Sequence, residues 1–310
     1  MKRETLVFGT RAYAPLQKAI AEAAKLPLGE IERKEFPDGE RYHRIVSTVT
    51  EHDAVLVGGT ITEVDTLELY DLACGLVQEG AHRLTLAIPF FGYQTMERMS
   101  KPGEVITAKT RARLLSSIPV PGSGSRVLLL DLHSDGVTYY FEGALQPFHL
   151  RATPIILAAA RRLAGTRDMV IACTDAGRAK WVESLANMAG VRASFVYKRR
   201  TSGSTTEVTA VSAQVQGAHV VIYDDMIRTG GSLLGAAKAY QAAGAAGISV
   251  ITTHGLFCGD ALDRLEQSGL FEAILCTDSH PRARELAAKS RFLQVESVAP
   301  LFAESIVGKS

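Results

Sequence analysis

Two adjacent aspartates, Asp224 and Asp225, directly follow a run of apolar residues and precede the short loop 228–232, which reads Arg-Thr-Gly-Gly-Ser. Glycines allow backbone amides to approach an anion closely, and a helix that begins after such a loop adds partial positive charge. Thr229 and Ser232 add hydroxyl donors, so the loop suits a phosphate group. The carboxylates suit the hydroxyls of the sugar that carries this phosphate, or a bridging magnesium ion.

A polar strand-to-helix turn, with Ser232 as the helix cap, is the plainer interpretation of this stretch. A loop defined by its glycines alone would favour that interpretation. Here an acidic pair ends an apolar run, and the order Thr229, Gly230, Gly231, Ser232 follows it. This combination favours a phosphate site over a simple turn.

A basic run, Lys198-Arg-Arg200, precedes the small and polar stretch 201–204. Such runs are usually solvated surface. In a chain that also carries a phosphate loop, this one is typical of a mobile arm that brings positive charge to a transferring phosphoryl group. A loop that closes over the substrate would also exclude water.

The elements that must position these residues alternate along the chain. Short apolar runs without polar alternation predict strands buried on both faces, at residues 5–8, 54–57, 83–88, 127–131, 169–174, 193–196, 219–223, 249–254 and 273–276. Ala-rich amphipathic segments predict helices at 14–24, 66–79, 108–116, 154–163, 180–188 and 233–243. This alternation predicts an α/β fold with parallel sheets covered by helices. Because ligands bind beyond the carboxyl ends of such strands, Asp224 and Asp225 stand where a ligand is expected.

The composition restricts the class of function. The chain has 310 residues, 46% of them hydrophobic, and a formal net charge of +1. These values predict a soluble globular protein with two domains and no overall bias toward nucleic acid or membranes. The four cysteines have no zinc-binding spacing. The chain contains no run of about 18 apolar residues, so no membrane span is predicted. The expected location is the cytoplasm, and neither nucleic-acid nor membrane partners are expected.

Several segments, in their order along the chain, resemble the ribose-phosphate pyrophosphokinase family, also called phosphoribosyl pyrophosphate synthetases. They are 36–40 (FPDGE), 88–93 (IPFFGY), 131–133 (DLH), 197–200 (YKRR), the loop 224–232, 253–257 (THGLF) and 297–301 (SVAPL). The resemblance implies two similar phosphoribosyltransferase-type domains, residues 1–147 and 148–290, with residues 291–310 returning to the first. It also implies transfer of the β,γ-diphosphoryl group of ATP to the 1-hydroxyl of ribose 5-phosphate, which gives phosphoribosyl pyrophosphate and AMP.

The same resemblance implies roles for individual residues. The catalytic cations would be Lys198 and Arg200, and the metal, Mg²⁺, would lie at His133 and Asp175. The acceptor-binding residues would be Asp224, Asp225, Arg228, Thr229, Gly230, Gly231 and Ser232, and the ATP-binding residues would be Phe36, Asp38, Gly39, Glu40, Thr95, Met96 and Arg98. In relatives the loop 36–40 reaches the ATP site of a neighbouring subunit. A homo-oligomer is therefore expected, with a dimer as the minimum and a hexamer as the larger alternative.

Three departures from the family pattern leave the acceptor open. Thr95 and Met96 replace an arginine and a glutamine that contact ATP in relatives, and only Arg98 keeps the basic character. Arg228 stands where the family usually has aspartate, which makes the acceptor pocket more positive. The alternatives are the same chemistry on a larger ribose 5-phosphate derivative such as ADP-ribose, or a non-catalytic regulatory homologue. His280, in a segment that also departs from the family, is interpreted as a surface loop residue.

Overall fold

Two groups of parallel strands organise the chain into two compact units. The computed structural model describes residues 3–174, 176–202, 205–211 and 214–308. One unit comprises the described residues up to Arg151 together with those from Val298 onward, and the other is Ala152–Ser297.

The first unit is built on a parallel sheet of five strands beside a separate antiparallel hairpin. Its strands are β1 (Thr5–Gly9), β2 (Ile31–Glu35), β3 (Arg41–Ile45), β4 (Asp53–Val57), β5 (Arg83–Ile88), β6 (Ser125–Leu130) and β7 (Leu145–Leu150). The sheet has the order β1-β4-β5-β6-β7, and β2 pairs with β3 to form the hairpin. The helices are α1 (Ala14–Ala24), α2 (Glu63–Gln78) and α3 (Thr107–Ser116).

The core of this unit explains why its strands read as continuous apolar runs. Leu56, Leu86 and Leu129, from three neighbouring strands, are completely buried in one cluster with apolar residues of α2 and α3. On α2, a capping box fixes the first turn, because the Asp65 amide donates to Thr62 Oγ1 at 3.1 Å and the Thr62 amide donates to Asp65 Oδ2 at 3.2 Å.

The second unit repeats this plan with a parallel sheet of six strands and its own hairpin. Its strands are β8 (Met169–Ala172), β9 (Arg192–Ser194), β10 (Val196–Ser202), β11 (Thr205–Val211), β12 (His219–Ile227), β13 (Gly247–Gly255), β14 (Ala273–Thr277) and β15 (Leu293–Glu296). The sheet order is β15-β14-β13-β12-β8-β9, and β10 pairs with β11 in an antiparallel hairpin. The helices are α4 (Thr153–Ala164), α5 (Ala179–Ala189), α6 (Gly231–Ala242), α7 (Ala261–Gln267) and α8 (Pro281–Ala287).

A last helix, α9 (Ala299–Val307), completes the first unit. It packs on α1, buries Phe302 fully, and accepts a hydrogen bond at the Ile306 carbonyl from Arg126 Nη2, at 3.2 Å. Within the described ranges, no helix combines the length and apolar character needed to cross a membrane.

These sheets confirm the predicted α/β class, since both are parallel and flanked by helices. The predicted helix at 14–24 and the predicted strand at 83–88 have the observed bounds. The predicted strand at 193–196 instead falls across the end of β9 and the start of β10. The predicted strand at 219–223 is too short, because β12 continues to Ile227.

Candidate functional site

The acidic pair lies inside β12, although the sequence predicted that it would follow the strand. Pairing with β8 ends at Ile222, whereas pairing with β13 continues through Asp224 to Ile227. Both aspartates therefore lie beyond the last β8 contact while the ladder to β13 still holds their backbone. Strand geometry sends consecutive side chains to opposite faces, so the two carboxylates occupy fixed and different directions.

The two carboxylates have different partners. Asp225 is buried and forms an ion pair with Arg178, with 2.6 Å between Asp225 Oδ2 and Arg178 Nη2. Asp224 accepts hydrogen bonds from Thr174 Oγ1 at 3.1 Å and from the Asp225 amide at 3.0 Å. Burial, and next the charge of Asp225, raise the pKa of the Asp224 carboxyl. Ionisation of both aspartates is thus unfavourable, and hydroxyl donors or a cation would stabilise the ionised pair.

Sequence reasoning missed Thr174 and Arg178. Both belong to the segment that follows β8, and Arg178 ends the short 3-10 helix Ala176–Arg178. β8 neighbours β12 in the sheet, so the carboxyl ends of both strands meet at one edge. The only signal in the sequence was that Thr174 and Arg178 flank Asp175. Their partners on β12 are about fifty residues away in sequence, as the contact of Thr174 with Asp224 shows, so local patterns could not reveal them.

The glycine loop after β12 has the conformation that a phosphate site needs. Gly230 has a φ of 74° and is the residue before α6, which begins at Gly231. A Cβ at Gly230 would lie 3.0 Å from Leu265, so glycine is required there by both conformation and space. Ser232 lies inside the helix and makes no capping hydrogen bond, so the alternative in which Ser232 caps α6 is wrong.

Two contacts hold this loop in place. The amide of Cys258 donates to the Arg228 carbonyl at 2.7 Å, and Arg264 Nη2 donates to the Thr229 carbonyl at 3.0 Å. Arg228, Thr229 and Ser232 are exposed. The first turn of α6 contains no acidic residue, so its free amides and the guanidinium groups favour an anion.

Replacing Gly231 tests whether the loop binds a phosphate or has only a structural role. No atom lies within 4 Å of a Cβ built at Gly231, so folding does not require glycine at this position. We expect Gly231→Ala to leave the melting temperature unchanged or slightly raised, and to raise KM for the phosphorylated acceptor about tenfold by blocking close approach of the phosphate. Melting curves and initial-rate kinetics measure the two effects.

Gly235→Ala is the matched control for that experiment. Gly235 lies on the same helix and its Cβ would also meet open space. It should stabilise α6 by up to about 1 kcal/mol without changing KM. If both alanine variants change KM equally, or neither does, Gly231 does not face a ligand.

His280 is a buried residue, so its interpretation as a surface loop residue is wrong. It is only 9% exposed, and its Nδ1 accepts a hydrogen bond from the Arg282 amide at the start of α8, at 3.3 Å. Burial, and next the neighbouring His254, lower the pKa of His280 to about 4. His254 is itself fixed by Ser279 Oγ at 2.8 Å from its Nδ1. Both imidazoles are therefore packed into the polar end of β13 and β14.

The basic run lies in the β10–β11 hairpin. Lys198 pairs with Val208 and Arg200 with Thr206, in the stretch between two irregularities of the ladder. The side chains of Lys198 and Arg200, and the whole of Asp175, lie outside the described part of the structure. Their roles in catalysis and metal binding stay predictions.

In the first unit, the predicted adenine loop 36–40 is the turn of the β2–β3 hairpin. The Gly39 amide donates to the Phe36 carbonyl at 2.9 Å, and the Glu40 amide donates to Asp38 Oδ1 at 3.1 Å. Gly39 has a φ of 90°, which favours glycine. Phe36 remains 47% exposed, with its ring edge-on to Tyr42. The turn thus presents an aromatic ring and a carboxylate to a partner.

The other predicted donor residues follow β5 and β6, and one side chain links these two segments. Gln94 is completely buried, and its Oε1 accepts a hydrogen bond from the His133 amide at 2.7 Å. The sequence did not single out Gln94. Next to it, Thr95 is half-buried and Met96 is exposed, while the side chain of Arg98 is 83% exposed. The loop therefore lies beside His133, and its basic residue, Arg98, is exposed and pairs with Glu97 at 3.5 Å.

The acidic pair of β12 could accept a magnesium ion that is bound through substrate phosphates. Among the residues that the structure describes, which omit Asp175, no three His, Cys, Asp or Glu side chains are grouped as a metal site. Magnesium in nucleotide enzymes typically takes one or two carboxylates and fills its other positions with phosphates and water. The raised pKa of Asp224 means that its ionised carboxylate is disfavoured, and a magnesium ion nearby would stabilise it.

Comparison with known proteins points to one family. Residues 5–118 match the model of the N-terminal domain of ribose phosphate pyrophosphokinase, and residues 191–308 match that of the phosphoribosyl synthetase-associated domain. A ribose-phosphate pyrophosphokinase of Fusobacterium nucleatum is 32% identical over 94% of this chain and 92% of its own length. The one from Rhodopirellula baltica is 33% identical over 98% and 95%. The crystal structure of phosphoribosylpyrophosphate synthetase from Mycobacterium smegmatis is similar over 99% of this chain and 98% of its own, with a TM-score of 0.86 and 27% identity.

Proposed function

Because this chain belongs to the ribose-phosphate pyrophosphokinase family of enzymes, we propose that it transfers the β,γ-diphosphoryl group of ATP to ribose 5-phosphate. The oxygen of the 1-hydroxyl attacks the β-phosphorus, the bond between that phosphorus and the oxygen bridging to the α-phosphorus breaks, and AMP leaves. The products are phosphoribosyl pyrophosphate and AMP. The observation that carries the proposal is the acidic pair on β12, which is followed directly by the open amino terminus of α6.

The second unit supplies the acceptor residues. The 5-phosphate binds the amides of Gly230 and Gly231, with hydroxyl donors from Thr229 and Ser232 and the guanidinium of Arg228 beside them. Asp224 and Asp225 accept hydrogen bonds from the ribose hydroxyls, which offsets the burial, and next the repulsion by Asp225, that raise the pKa of Asp224. Phosphate at one end and hydroxyls at the other fix the sugar in one orientation.

The first unit supplies the donor residues. Phe36 stacks on the adenine, while Asp38 and Glu40 accept hydrogen bonds from it, and Gly39 allows the turn that presents them. Arg98 takes the phosphate contact that Thr95 and Met96 do not provide, because its guanidinium is exposed.

His133 and Asp175 would hold Mg²⁺, and the ion would neutralise charge on the transferring phosphates. Gln94 fixes the backbone of His133 for this role. Lys198 and Arg200 add positive charge at the transferring group, where the transition state needs it.

The release of AMP tests the proposal. Purified protein is incubated with ATP, magnesium and ribose 5-phosphate, and nucleotides are separated by chromatography. AMP should form in equal amount with phosphoribosyl pyrophosphate, and only when the acceptor is present. Release of ADP instead of AMP, or no nucleotide turnover with ribose 5-phosphate, would contradict it. Parallel assays with ADP-ribose test whether Arg228 admits a larger acceptor.

We further propose that the protein is a homo-oligomer in which the turn 36–40 completes the donor site of a neighbour. The exposed ring of Phe36 motivates this proposal. Asp38→Ala and Lys198→Ala subunits are each expected to be nearly inactive alone. Mixed and reassembled, they should recover a measurable share of activity, because some sites then contain neither defect. Full activity from a monomer, established by sedimentation, would rule out a shared site.

A further inference from the structure

The structure assigns Arg178 as a positioning residue that holds the acidic pair of β12 ready for the acceptor sugar, an inference that rests on the proposed function. Arg178 does not need to touch the substrate for this role. It acts through Asp225, whose carboxylate it neutralises and directs, and thereby keeps Asp224 in place to accept hydrogen bonds from the sugar hydroxyls.

The ion pair is largely removed from solvent. Arg178 Nη2 lies 2.6 Å from Asp225 Oδ2, and the two side chains are 20% and 7% exposed. Removing one partner from a buried pair leaves the other charge uncompensated, which costs far more than the loss of a surface pair. Arg178 is therefore needed wherever Asp225 must remain ionised and fixed.

A second contact joins the same two segments. Trp181, in the first turn of α5, stacks on Tyr223 of β12, with ring centroids 4.3 Å apart and planes 20° from parallel. Trp181 follows Arg178 by one helical turn, and Tyr223 precedes Asp225 by two residues on the same strand face. The stack fixes the start of α5 against β12, so the guanidinium reaches Asp225 from a rigid support.

The two aspartates thus divide the task. Asp225 is held by Arg178 through its Oδ2. Asp224 is less buried, and its oxygens accept hydrogen bonds from Thr174 Oγ1 and from the amide of Asp225. A carboxylate has about four acceptor positions, so Asp224 retains capacity for sugar hydroxyls. The positive charge of Arg178 also favours the ionised pair, which is the form that accepts these hydrogen bonds.

The test compares Arg178→Gln, Arg178→Lys and a control. Arg178→Gln should raise KM for ribose 5-phosphate by about tenfold or more, while KM for ATP changes by less than about twofold. Arg178→Lys keeps the charge and should recover part of the loss. Arg167→Gln is the control, because Arg167 pairs with Glu272 at 2.9 Å in the same unit, next to the strand starts at β8 and away from the acidic pair. It should change neither KM.

Calorimetric binding of ribose 5-phosphate without ATP gives a readout independent of turnover. The dissociation constant should rise in Arg178→Gln and recover partly in Arg178→Lys. Equal effects on both substrates, unchanged acceptor binding in Arg178→Gln, or no recovery with lysine would each overturn the proposal. If the unaltered protein binds ribose 5-phosphate but releases no AMP, the proposed reaction fails while the role of Arg178 is still decided by binding. If Arg178→Gln does not fold, the lysine variant alone decides by the ratio of the two KM values.

Discussion

Replacing Lys198 with alanine is expected to lower kcat by about a hundredfold to ten-thousandfold. The proposed reaction concentrates negative charge on the transferring diphosphoryl group, and a cation aligned with it stabilises the transition state more than the bound substrate. The melting temperature should not change, because Lys198 lies in the two-stranded β10–β11 sheet, separate from the six-stranded sheet that carries the core. Initial rates with saturating ATP and ribose 5-phosphate measure the effect.

Lys238→Ala is the matched control for this variant. Lys238 is an exposed lysine on α6 of the same unit. Its removal should leave kcat within about twofold of the original value. A Lys198→Ala protein with unchanged kcat would exclude Lys198 from the mechanism, and an equal loss in both variants would indicate a general effect of net charge.

Asp224→Asn is expected to lower kcat/KM for the acceptor about a hundredfold or more while making the free protein more stable at neutral pH. The loss follows because an amide cannot accept from the sugar hydroxyls with the charge that a carboxylate provides. The gain follows because burial and the charge of Asp225 disfavour the ionised form of Asp224. Acceptor kinetics and the melting temperature measured on one preparation show both changes.

The raised pKa of Asp224 also predicts how the stability difference between Asp224→Asn and the unaltered protein depends on pH. The pKa of Asp224 is raised in the folded protein, so between the ordinary carboxyl pKa of about 3.9 and the raised value the folded state binds more protons than the unfolded state. Stability therefore falls as pH rises through this window, and the destabilisation is complete above the raised pKa. The advantage of Asp224→Asn in melting temperature should be on the order of a few degrees at pH 8 and close to zero at pH 4.

Asp278→Asn is a comparison variant for which a loss of stability is expected, in contrast to the gain expected for Asp224→Asn. Asp278 is more deeply buried than Asp224, but it pairs with Arg284 and accepts from Ser297 Oγ at 2.9 Å. Loss of its charge leaves a guanidinium without its partner, so this variant should be less stable at pH 8. If Asp224→Asn is destabilised in the same way, burial and repulsion do not dominate at the acidic pair.

The sequence was sufficient for the fold class and for the strands that are buried on both faces. These strands carry continuous apolar runs, as in β5 and β14, and few structures other than a buried strand suit such short runs. The strands that the sequence missed are polar or at sheet edges. β2 and β3 consist largely of charged residues because they form a hairpin outside the main sheet. β7 contains Pro147, which an edge strand tolerates.

Within the candidate site, local patterns could be predicted and long-range partners could not. The turn at 36–40 and the glycine loop depend on neighbouring residues, and the structure shows a turn at the first and a left-handed glycine directly before α6 at the second. The position of the acidic pair was misjudged because the polarity of Asp224 and Asp225 suggested the end of a strand, whereas pairing with β13 continues past them. Arg178 and Gln94 act on segments that are distant in sequence, so no local pattern identified them.

The return of α9 to the first unit sets the order in which the chain can mature during synthesis. The part of α1 that packs on α9 is covered only after α9 has been made, and the whole of the second unit is translated in between. The second unit is continuous in sequence, so it can close its core on the ribosome while the first is still open on that side. The first unit, although it begins at the amino terminus, is thereby the last to be completed. We expect nascent chains arrested before Ala299 to expose α1 to chaperones and proteases, and that exposure to end when α9 emerges.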